Sequence, residues 1–109
     1  MEVRLYRVGS SMGWHSDVRL YDPPQYELIY TATNSSDAKT EWVGSDGARR
    51  AITPPANSLL LFRAEGARHR VVSGSEGERT IVKALFVERA GCAKTEAFGE
   101  VMEQAPWRR

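Results

Sequence analysis

Hydrophobic and polar residues alternate along most of the chain before Gly91, and this period of two is typical of β-strands. Residues 26–33 are rich in β-branched and aromatic side chains, which favour strands. Further strands are predicted between turn residues over 2–8, 14–17, 39–43, 58–62, 69–72 and 79–87. Short strands with regular turn signals predict an antiparallel sandwich or small barrel, with the double-stranded β-helix, or jelly roll, as the preferred form.

The period changes after Gly91. Apolar residues then recur at helical spacing, which predicts one short amphipathic C-terminal α-helix that ends at Pro106. The apolar positions of this predicted helix are Ala93, Ala97, Phe98, Val101 and Met102. The expected fold class is therefore mostly β with a single helix at the end.

The chain has 109 residues, which predicts a single domain over residues 1–109. Its 15 basic and 14 acidic residues leave a formal net charge of +1, which argues against a strongly basic nucleic-acid surface. Cys92 is the one cysteine, so an internal disulfide is excluded and a reducing compartment is favoured. No apolar run reaches the length of a membrane span or a signal-peptide core, which predicts a cytoplasmic protein without a membrane partner.

The two histidines of the chain, His15 and His69, are the main candidates for chemistry. His15 stands two residues before Asp17, and residues two apart in a strand point to the same face. His69 can complete the group from a second strand. Two imidazoles and one carboxylate that leave open coordination positions are the ligand set of a non-haem Fe(II) oxygenase.

Residues beyond His69 share their spacing with a known family. Gly77 lies eight residues after His69, and Arg79 lies ten after it. This pattern resembles the 2-oxoglutarate/Fe(II)-dependent dioxygenases, and within them the prolyl 4-hydroxylase-like group, which carry His-x-Asp, a distal histidine and a basic residue at a similar distance beyond it. The resemblance extends from Tyr6 to about Phe86.

The resemblance implies oxidative chemistry at the three ligands. His15, Asp17 and His69 would be both the metal ligands and the catalytic residues, with Fe(II) bound among them. Members of the family use 2-oxoglutarate as cosubstrate and O2 as oxidant, with ascorbate as a further reductant. They release succinate and CO2 while the substrate is hydroxylated. The substrate implied here is peptidyl, of a prolyl-like kind, or a small molecule.

The resemblance also implies three contacts to the cosubstrate. Arg79 would pair with the distal carboxylate of 2-oxoglutarate, because a guanidinium stays charged and binds a carboxylate in two-pronged geometry. Tyr6 lies nine residues before His15, where the family has a tyrosine that hydrogen-bonds the cosubstrate. Thr40 falls where a family threonine contacts the same molecule.

The chain departs from the family pattern in three places. Ala38-Lys39 replaces a pair of glycines before the threonine, and Gln25-Tyr26-Glu27 stands where the family has an arginine that meets substrate. The first predicted strand begins almost at Met1, so the helical layer that precedes the barrel in the family is expected to be missing. The chain is interpreted as a minimal or truncated form of the domain.

Strand parity places Arg79, Ile81, Lys83 and Leu85 on one face of the last strand. Ile81 and Leu85 are expected to be buried there, which turns Arg79 inward toward an anion. Lys83 needs a counter-charge or a wet pocket, so it is a candidate substrate contact unless it reaches solvent along the strand. Tyr30 is the second candidate substrate contact, because its strand face can point to the core or to the pocket.

Two other functions use the same residues. A cupin-like jelly-roll protein could bind a metal through these ligands without 2-oxoglutarate. A non-catalytic module could keep the fold without turnover, although the Asp17 carboxylate argues against it. Arg79 distinguishes the cupin-like alternative, since such a protein needs no inward arginine at that position. The sequence therefore favours a dioxygenase whose partner is a small molecule or a peptide.

Overall fold

The computed structural model describes residues 1–88 and 93–97. These ranges are built from β-strands, and their bounds are β1 Glu2–Tyr6, β2 Met12–His15, β3 Tyr21–Asp22, β4 Tyr26–Asn34, β5 Lys39–Val43, β6 Arg49–Ile52, β7 Ser58–Arg63, β8 His69–Val72, β9 Arg79–Phe86 and β10 Ala93–Lys94. No helix in the described ranges is long and apolar enough to cross a membrane.

The strands form two four-stranded antiparallel sheets and one small ribbon. The main sheet has the order β1-β9-β4-β7, and the second sheet has the order β2-β8-β5-β6. β3 and β10 pair as a two-stranded ribbon. Along the chain the strands pass repeatedly from one sheet to the other, so the architecture is consistent with a jelly roll.

Most strand predictions agree with the structure. The segments predicted at 39–43 and 69–72 are β5 and β8, and the central strand expected at 26–33 is β4, which is one residue longer. The turn predicted between β5 and β6 is present, since Gly44 N donates a hydrogen bond to Ala48 O. Alternation and turn chemistry are local signals, which is why these bounds could be read directly.

The predicted C-terminal helix is not supported. Its first apolar position, Ala93, lies with Lys94 in β10, and this strand pairs with β3. Backbone pairing with an available strand edge outweighs the weak helical period of a few apolar residues. Ala97 is described and belongs to none of the ten strands, and the remaining positions of the predicted helix, from Phe98 to Pro106, lie outside the described residues.

At β1 the main sheet turns polar side chains inward and apolar side chains outward, which is the reverse of the usual arrangement. Arg4 and Tyr6 share the half-buried inner side of this strand, and Val3 and Leu5 are exposed on its outer side. Residues on opposite faces of a strand alternate, so the inner face here is the polar one. An inner face of this kind can line a polar site, but it contributes little hydrophobic burial.

β9 carries the inward residues that the sequence predicted, with one exception. Arg79 and Ile81 are buried at 2% and 1% exposure. Leu85 is 41% exposed, so its predicted burial is wrong. Burial decreases along β9 toward Phe86, and Leu85 therefore lies outside the core despite its parity.

Replacing Gly77 with alanine is expected to lower the free energy of unfolding by at least about 3 kcal/mol. Gly77 has a φ of 71°, and an added methyl group would overlap the carbonyl oxygen of Ser35. Gly47→Ala is the matched control, because Gly47 also has a positive φ, of 80°, but has open space around it. Its cost should be limited to about 1–2 kcal/mol of backbone strain. Urea unfolding measures both, and equal costs would contradict the steric argument.

Candidate metal centre

Two histidines and one aspartate converge in the cleft between the two sheets. His15 ends β2 and His69 begins β8, and the two residues pair directly across these strands. Asp17 Oδ1 lies 3.7 Å from His15 Nε2 and 3.8 Å from His69 Nε2. One ligand atom from each of the three residues lies within 4.8 Å of the other two. The structure thus brings together the three ligands that the sequence predicted.

Both imidazole rings are oriented by backbone carbonyl groups. His15 Nδ1 lies 2.8 Å from Gly13 O, and His69 Nδ1 lies 3.0 Å from Ala67 O. A carbonyl oxygen can only accept, so each Nδ1 must carry the hydrogen and donate it. The neutral rings therefore present an unprotonated Nε2 to the centre, which is the form that binds a metal ion.

Asp17 reaches the centre from a loop, not from the strand that was predicted for 14–17. β2 ends at His15, and its pairing with β8 is irregular between Met12 and His15. The loop is held by the β7–β8 connection, where Glu65 N donates to Asp17 O at 2.9 Å. The convergence of His15 and Asp17 therefore depends on this tertiary contact and not on strand parity alone.

One oxygen of Asp17 is left without a partner. Asp17 Oδ2 is buried and makes no hydrogen bond within the described part of the chain. A buried carboxylate oxygen without a partner is unfavourable unless a cation satisfies it. Together with the two bare Nε2 atoms, the Asp17 carboxylate forms a donor set that fits Fe(II) with coordination positions to spare.

The environment of His69 favours its neutral, ligating form. Its ring stacks on Phe62 at a centroid distance of 3.9 Å, and its exposure is 5%. Burial lowers the pKa of His69 below its ordinary value, against the opposing effects of the Ala67 carbonyl and the Asp17 carboxylate. Metal binding requires neutral histidines, so this shift reduces proton competition at the site.

Arg79 is a buried cation without an ion pair among the described residues. Its Nε and NH2 groups donate to Thr31 Oγ1 at 3.0 and 2.9 Å. Its guanidinium carbon lies 6.0 Å from the centre of the Tyr6 ring. Burial lowers the pKa of Arg79, and the neighbouring Tyr6 opposes this. A desolvated guanidinium that faces a cleft and has only neutral partners is suited to bind an anion.

The other predicted contacts also line this cleft, with one exception. Tyr6, Thr40 and Lys83 lie along it with the three candidate ligands and Arg79. Tyr30 does not, because it is on the outer face of the main sheet, where its hydroxyl donates to Asn57 Oδ1 at 2.7 Å. A role for Tyr30 as a substrate contact at this centre is therefore corrected by the structure.

Two residues of the site were missed at the level of sequence. Thr31 is fully buried and accepts both hydrogen bonds from Arg79, and Phe62 covers the ring of His69. Each is an ordinary residue for its strand, so its type carries no functional signal. The available clue was the position of Thr31 in a largely apolar strand. A polar side chain on the buried face of such a strand has to find an internal partner.

The segment 25–27 has a structural role at Gln25 and a carboxylate at Glu27. Gln25 is fully buried, accepts hydrogen bonds from Leu20 N and Tyr21 N, and donates to Val18 O. It thereby holds the loop that follows Asp17. Burial raises the pKa of Glu27, and the charge of Asp17 adds to this, while Gln25 and Lys83 act in the opposite direction.

The Glu27→Gln variant is expected to be more stable than the wild type near neutral pH. The raised pKa means that ionised Glu27 is disfavoured in the folded state, so the wild type loses stability as pH rises from about 4.5 through the folded-state pKa. The amide has no such charge. Thermal unfolding of the metal-free proteins should show nearly equal midpoints at pH 4 and a growing advantage for Glu27→Gln toward pH 8. A constant difference across this range would contradict the electrostatic cause.

Comparisons with known proteins agree with the fold. No family model matches the chain, and no curated protein matches it in sequence. Among solved structures, the chain is similar to a Pseudomonas putida prolyl-4-hydroxylase, with a TM-score of 0.66, 18% sequence identity and coverage of 81% of this chain. The match covers 51% of that enzyme, so the chain spans about half its length. The similarity shows a shared fold with this hydroxylase.

Proposed function

We propose that the chain is a 2-oxoglutarate- and Fe(II)-dependent dioxygenase that hydroxylates a peptidyl, prolyl-like substrate or a small molecule. The observation that carries the proposal is a single cleft that contains both a His-Asp-His cluster and the buried guanidinium of Arg79. A metal site alone does not need a desolvated cation beside it, whereas the distal carboxylate of 2-oxoglutarate would pair with one. The shared fold with a prolyl-4-hydroxylase supports the same class.

In the proposed reaction His15, Asp17 and His69 hold Fe(II), and Arg79 holds the distal carboxylate of 2-oxoglutarate. Thr31 keeps the guanidinium in place through its two hydrogen bonds. Tyr6 and Thr40 are proposed as hydrogen-bond partners for the same cosubstrate. When bound, the iron and 2-oxoglutarate supply the oxidising chemistry, in which O2 is consumed and succinate and CO2 are released. The protein orients these groups and limits the access of water.

Lys83 is proposed to contact the substrate and not the cosubstrate. It lies four residues beyond Arg79 on the same face of β9, which corresponds to about 13 Å along a strand. Its ammonium group makes no ion pair within residues 1–88 and 93–97.

We expect Lys83→Met to leave the affinities for Fe(II) and 2-oxoglutarate within about twofold of the wild type. A large loss of 2-oxoglutarate affinity in calorimetric titrations would make Lys83 a cosubstrate contact instead.

Anaerobic titration with Fe(II), with and without 2-oxoglutarate, tests the proposal. Chelation of iron by the keto and carboxylate oxygens of 2-oxoglutarate should produce a metal-to-ligand charge-transfer band in the visible spectrum. Admission of O2 should then yield succinate, which is measured by chromatography. Fe(II) binding without the band would favour the cupin-like alternative, and the absence of Fe(II) binding in folded protein would overturn both.

A further inference from the structure

Two side chains of opposite charge lie on the inner side of the main sheet and have no part in the proposed iron or cosubstrate contacts. Glu27 shares the inner side of β4 with Ile29, which lines the cleft, and Lys83 lines the cleft from β9. Lys83 pairs with Ile29 in register, so Glu27 is its diagonal neighbour on the adjacent strand. Diagonal neighbours are about 7–8 Å apart, so both side chains extend toward the same part of the cleft.

Glu27 is a half-buried carboxylate that makes no ion pair within the described part of the chain. Its side-chain hydrogen bond comes from Gln25 Nε2, at a long 3.4 Å. Its register partners on both sides, Phe62 and Leu85, are apolar, and Phe62 stacks on the His69 ring. Glu27 therefore lies beside the metal centre, but it does not belong to the group of three side chains that could hold the ion.

The charges around Glu27 and Lys83 show how close these two groups lie to the metal centre. Burial raises the pKa of Glu27 and the charge of Asp17 adds to this, while Lys83 acts in the opposite direction. Burial is the main cause that lowers the pKa of His69, and the ammonium group of Lys83 contributes to the same shift. Lys83 is thus within electrostatic range of both Glu27 and His69. One anion and one cation face the metal end of the cleft.

The two charges remain apart. Elsewhere on this side of the sheet, Arg4 and Glu2 form an ion pair at 2.9 Å, whereas no ion pair joins the described residues Glu27 and Lys83. A half-buried carboxylate and a half-buried ammonium group that stay apart lose hydration without gaining each other's charge. A ligand that carries both opposite charges would satisfy the two side chains at once.

We propose, resting on the proposed function, that the substrate is a small zwitterion of the free amino acid type, with its ammonium group on Glu27 and its carboxylate on Lys83. An α-amino acid carries these two groups on one carbon atom, which suits a gap between side chains from adjacent strands. Both contacts are charge-assisted hydrogen bonds, which are about twice as strong as neutral ones. An internal residue of a peptide has neither charge, so this recognition selects a small molecule over a peptidyl substrate.

Four probes that differ only in charge test the inference. Near neutral pH, L-proline carries both charges, L-prolinamide only the cation, N-acetyl-L-proline only the anion, and N-acetyl-L-prolinamide neither. The same four derivatives of L-leucine remove any dependence on the ring. Calorimetric titrations of the 109-residue chain are run anaerobically, with Fe(II) and 2-oxoglutarate and again without them. The zwitterion of at least one series should bind about 10-fold or more tightly than either singly charged probe, because each of those leaves one charged side chain without a partner.

Two variants assign the charges to their side chains. Glu27→Gln should abolish the preference for the zwitterion over the probe that lacks the ammonium group, and Lys83→Met the preference over the probe that lacks the carboxylate. Each variant should retain the other preference. Glu27→Gln should fold, because the amide keeps the size of the side chain and removes a half-buried charge, and circular dichroism verifies both variants. The matched controls, Glu76→Gln and Lys39→Met, alter exposed residues and should bind every probe like the wild type.

Three results would overturn the inference. One is the absence of binding by any probe, and another is equal affinity for all four probes of both series, with and without Fe(II) and 2-oxoglutarate. The third is a zwitterion preference that persists unchanged in both Glu27→Gln and Lys83→Met, which would locate the recognition elsewhere. The charge-transfer band separates these results from the proposed function. A band without the preference leaves a dioxygenase for another class of substrate, and the preference without a band leaves a zwitterion site with other chemistry.

Discussion

Asp17→Asn should weaken Fe(II) binding by at least about 100-fold. The substitution keeps the size of the side chain but removes the charge, and it replaces the buried, unpartnered Oδ2 or its neighbour with an amide nitrogen that cannot bind a metal. Loss of an outer partner of a ligand already costs 10- to 100-fold in metal affinity, so loss of a ligand charge costs more. Anaerobic Fe(II) titration in competition with a chromogenic chelator measures the change.

Asp46→Asn is the matched control for this experiment. Asp46 is an exposed aspartate that pairs with Arg50 at 2.9 Å in the β5–β6 hairpin, away from the metal centre. Its substitution should leave Fe(II) affinity unchanged. His15→Ala should behave like Asp17→Asn, because it removes one of the two unprotonated Nε2 atoms. Fe(II) affinity near the wild-type value in both centre variants would show that the metal binds elsewhere.

Arg79→Ala should weaken 2-oxoglutarate binding by about 100-fold while Fe(II) binding is retained. Truncation of one partner of a buried, hydrogen-bonded charge pair costs about 2–5 kcal/mol, and the cosubstrate carboxylate would be left in a desolvated cleft. Arg79→Lys should recover only part of the affinity, since an ammonium group cannot bind a carboxylate in two-pronged geometry. The charge-transfer band of the Fe(II) complex, followed against 2-oxoglutarate concentration, gives the dissociation constant of the cosubstrate for each protein, and competition with a chromogenic chelator gives that of Fe(II).

The stability of the cosubstrate-free protein provides a second readout for Arg79. A buried guanidinium with only Thr31 and Tyr6 beside it is costly without an anion, so Arg79→Met should not lower the unfolding midpoint. Added 2-oxoglutarate should stabilise the wild type and not this variant. Arg63→Met, which alters an exposed arginine at the end of β7, should respond like the wild type. Unchanged 2-oxoglutarate affinity in Arg79→Ala would show that Arg79 does not bind the distal carboxylate of the cosubstrate.

The strands were predictable because their signals are local. Period-two alternation and turn residues located β4, β5 and β8 almost to the residue. The same reasoning failed at Ala93, where helical spacing predicted a helix and the chain instead pairs with β3. A sequence period describes side chains, and it does not reveal which strand edge is free to accept a backbone.

Burial was predicted less well than strand position. Parity correctly placed Arg79 and Ile81 on the inner face, but Leu85 and Tyr30 were assigned by the same rule and lie outside the core or on the outer face. Parity defines which residues share a face, but it does not define which face is inward or how far along the strand the core extends. Those two facts depend on the packing of the second sheet.

The candidate site shows the same division. Residue types and spacing suggested His15, Asp17 and His69 as ligands, and Arg79 as an anion contact. Their meeting depends on long-range contacts, such as the hydrogen bond from Glu65 N to the backbone of Asp17, which no local pattern predicts. Thr31 was missed for a related reason, because a threonine in a strand gains its role only when an arginine distant in sequence is packed against it.

By itself the sequence determined the strands, the candidate ligands and the chemical character of the site, because each follows from residue type and short-range spacing. The tertiary structure alone decided that the main sheet turns its polar face inward and its apolar face outward. That choice depends on packing between the two sheets, which buries Arg79 and Thr31 in the cleft and leaves Val3, Leu59 and Leu61 exposed on the other side.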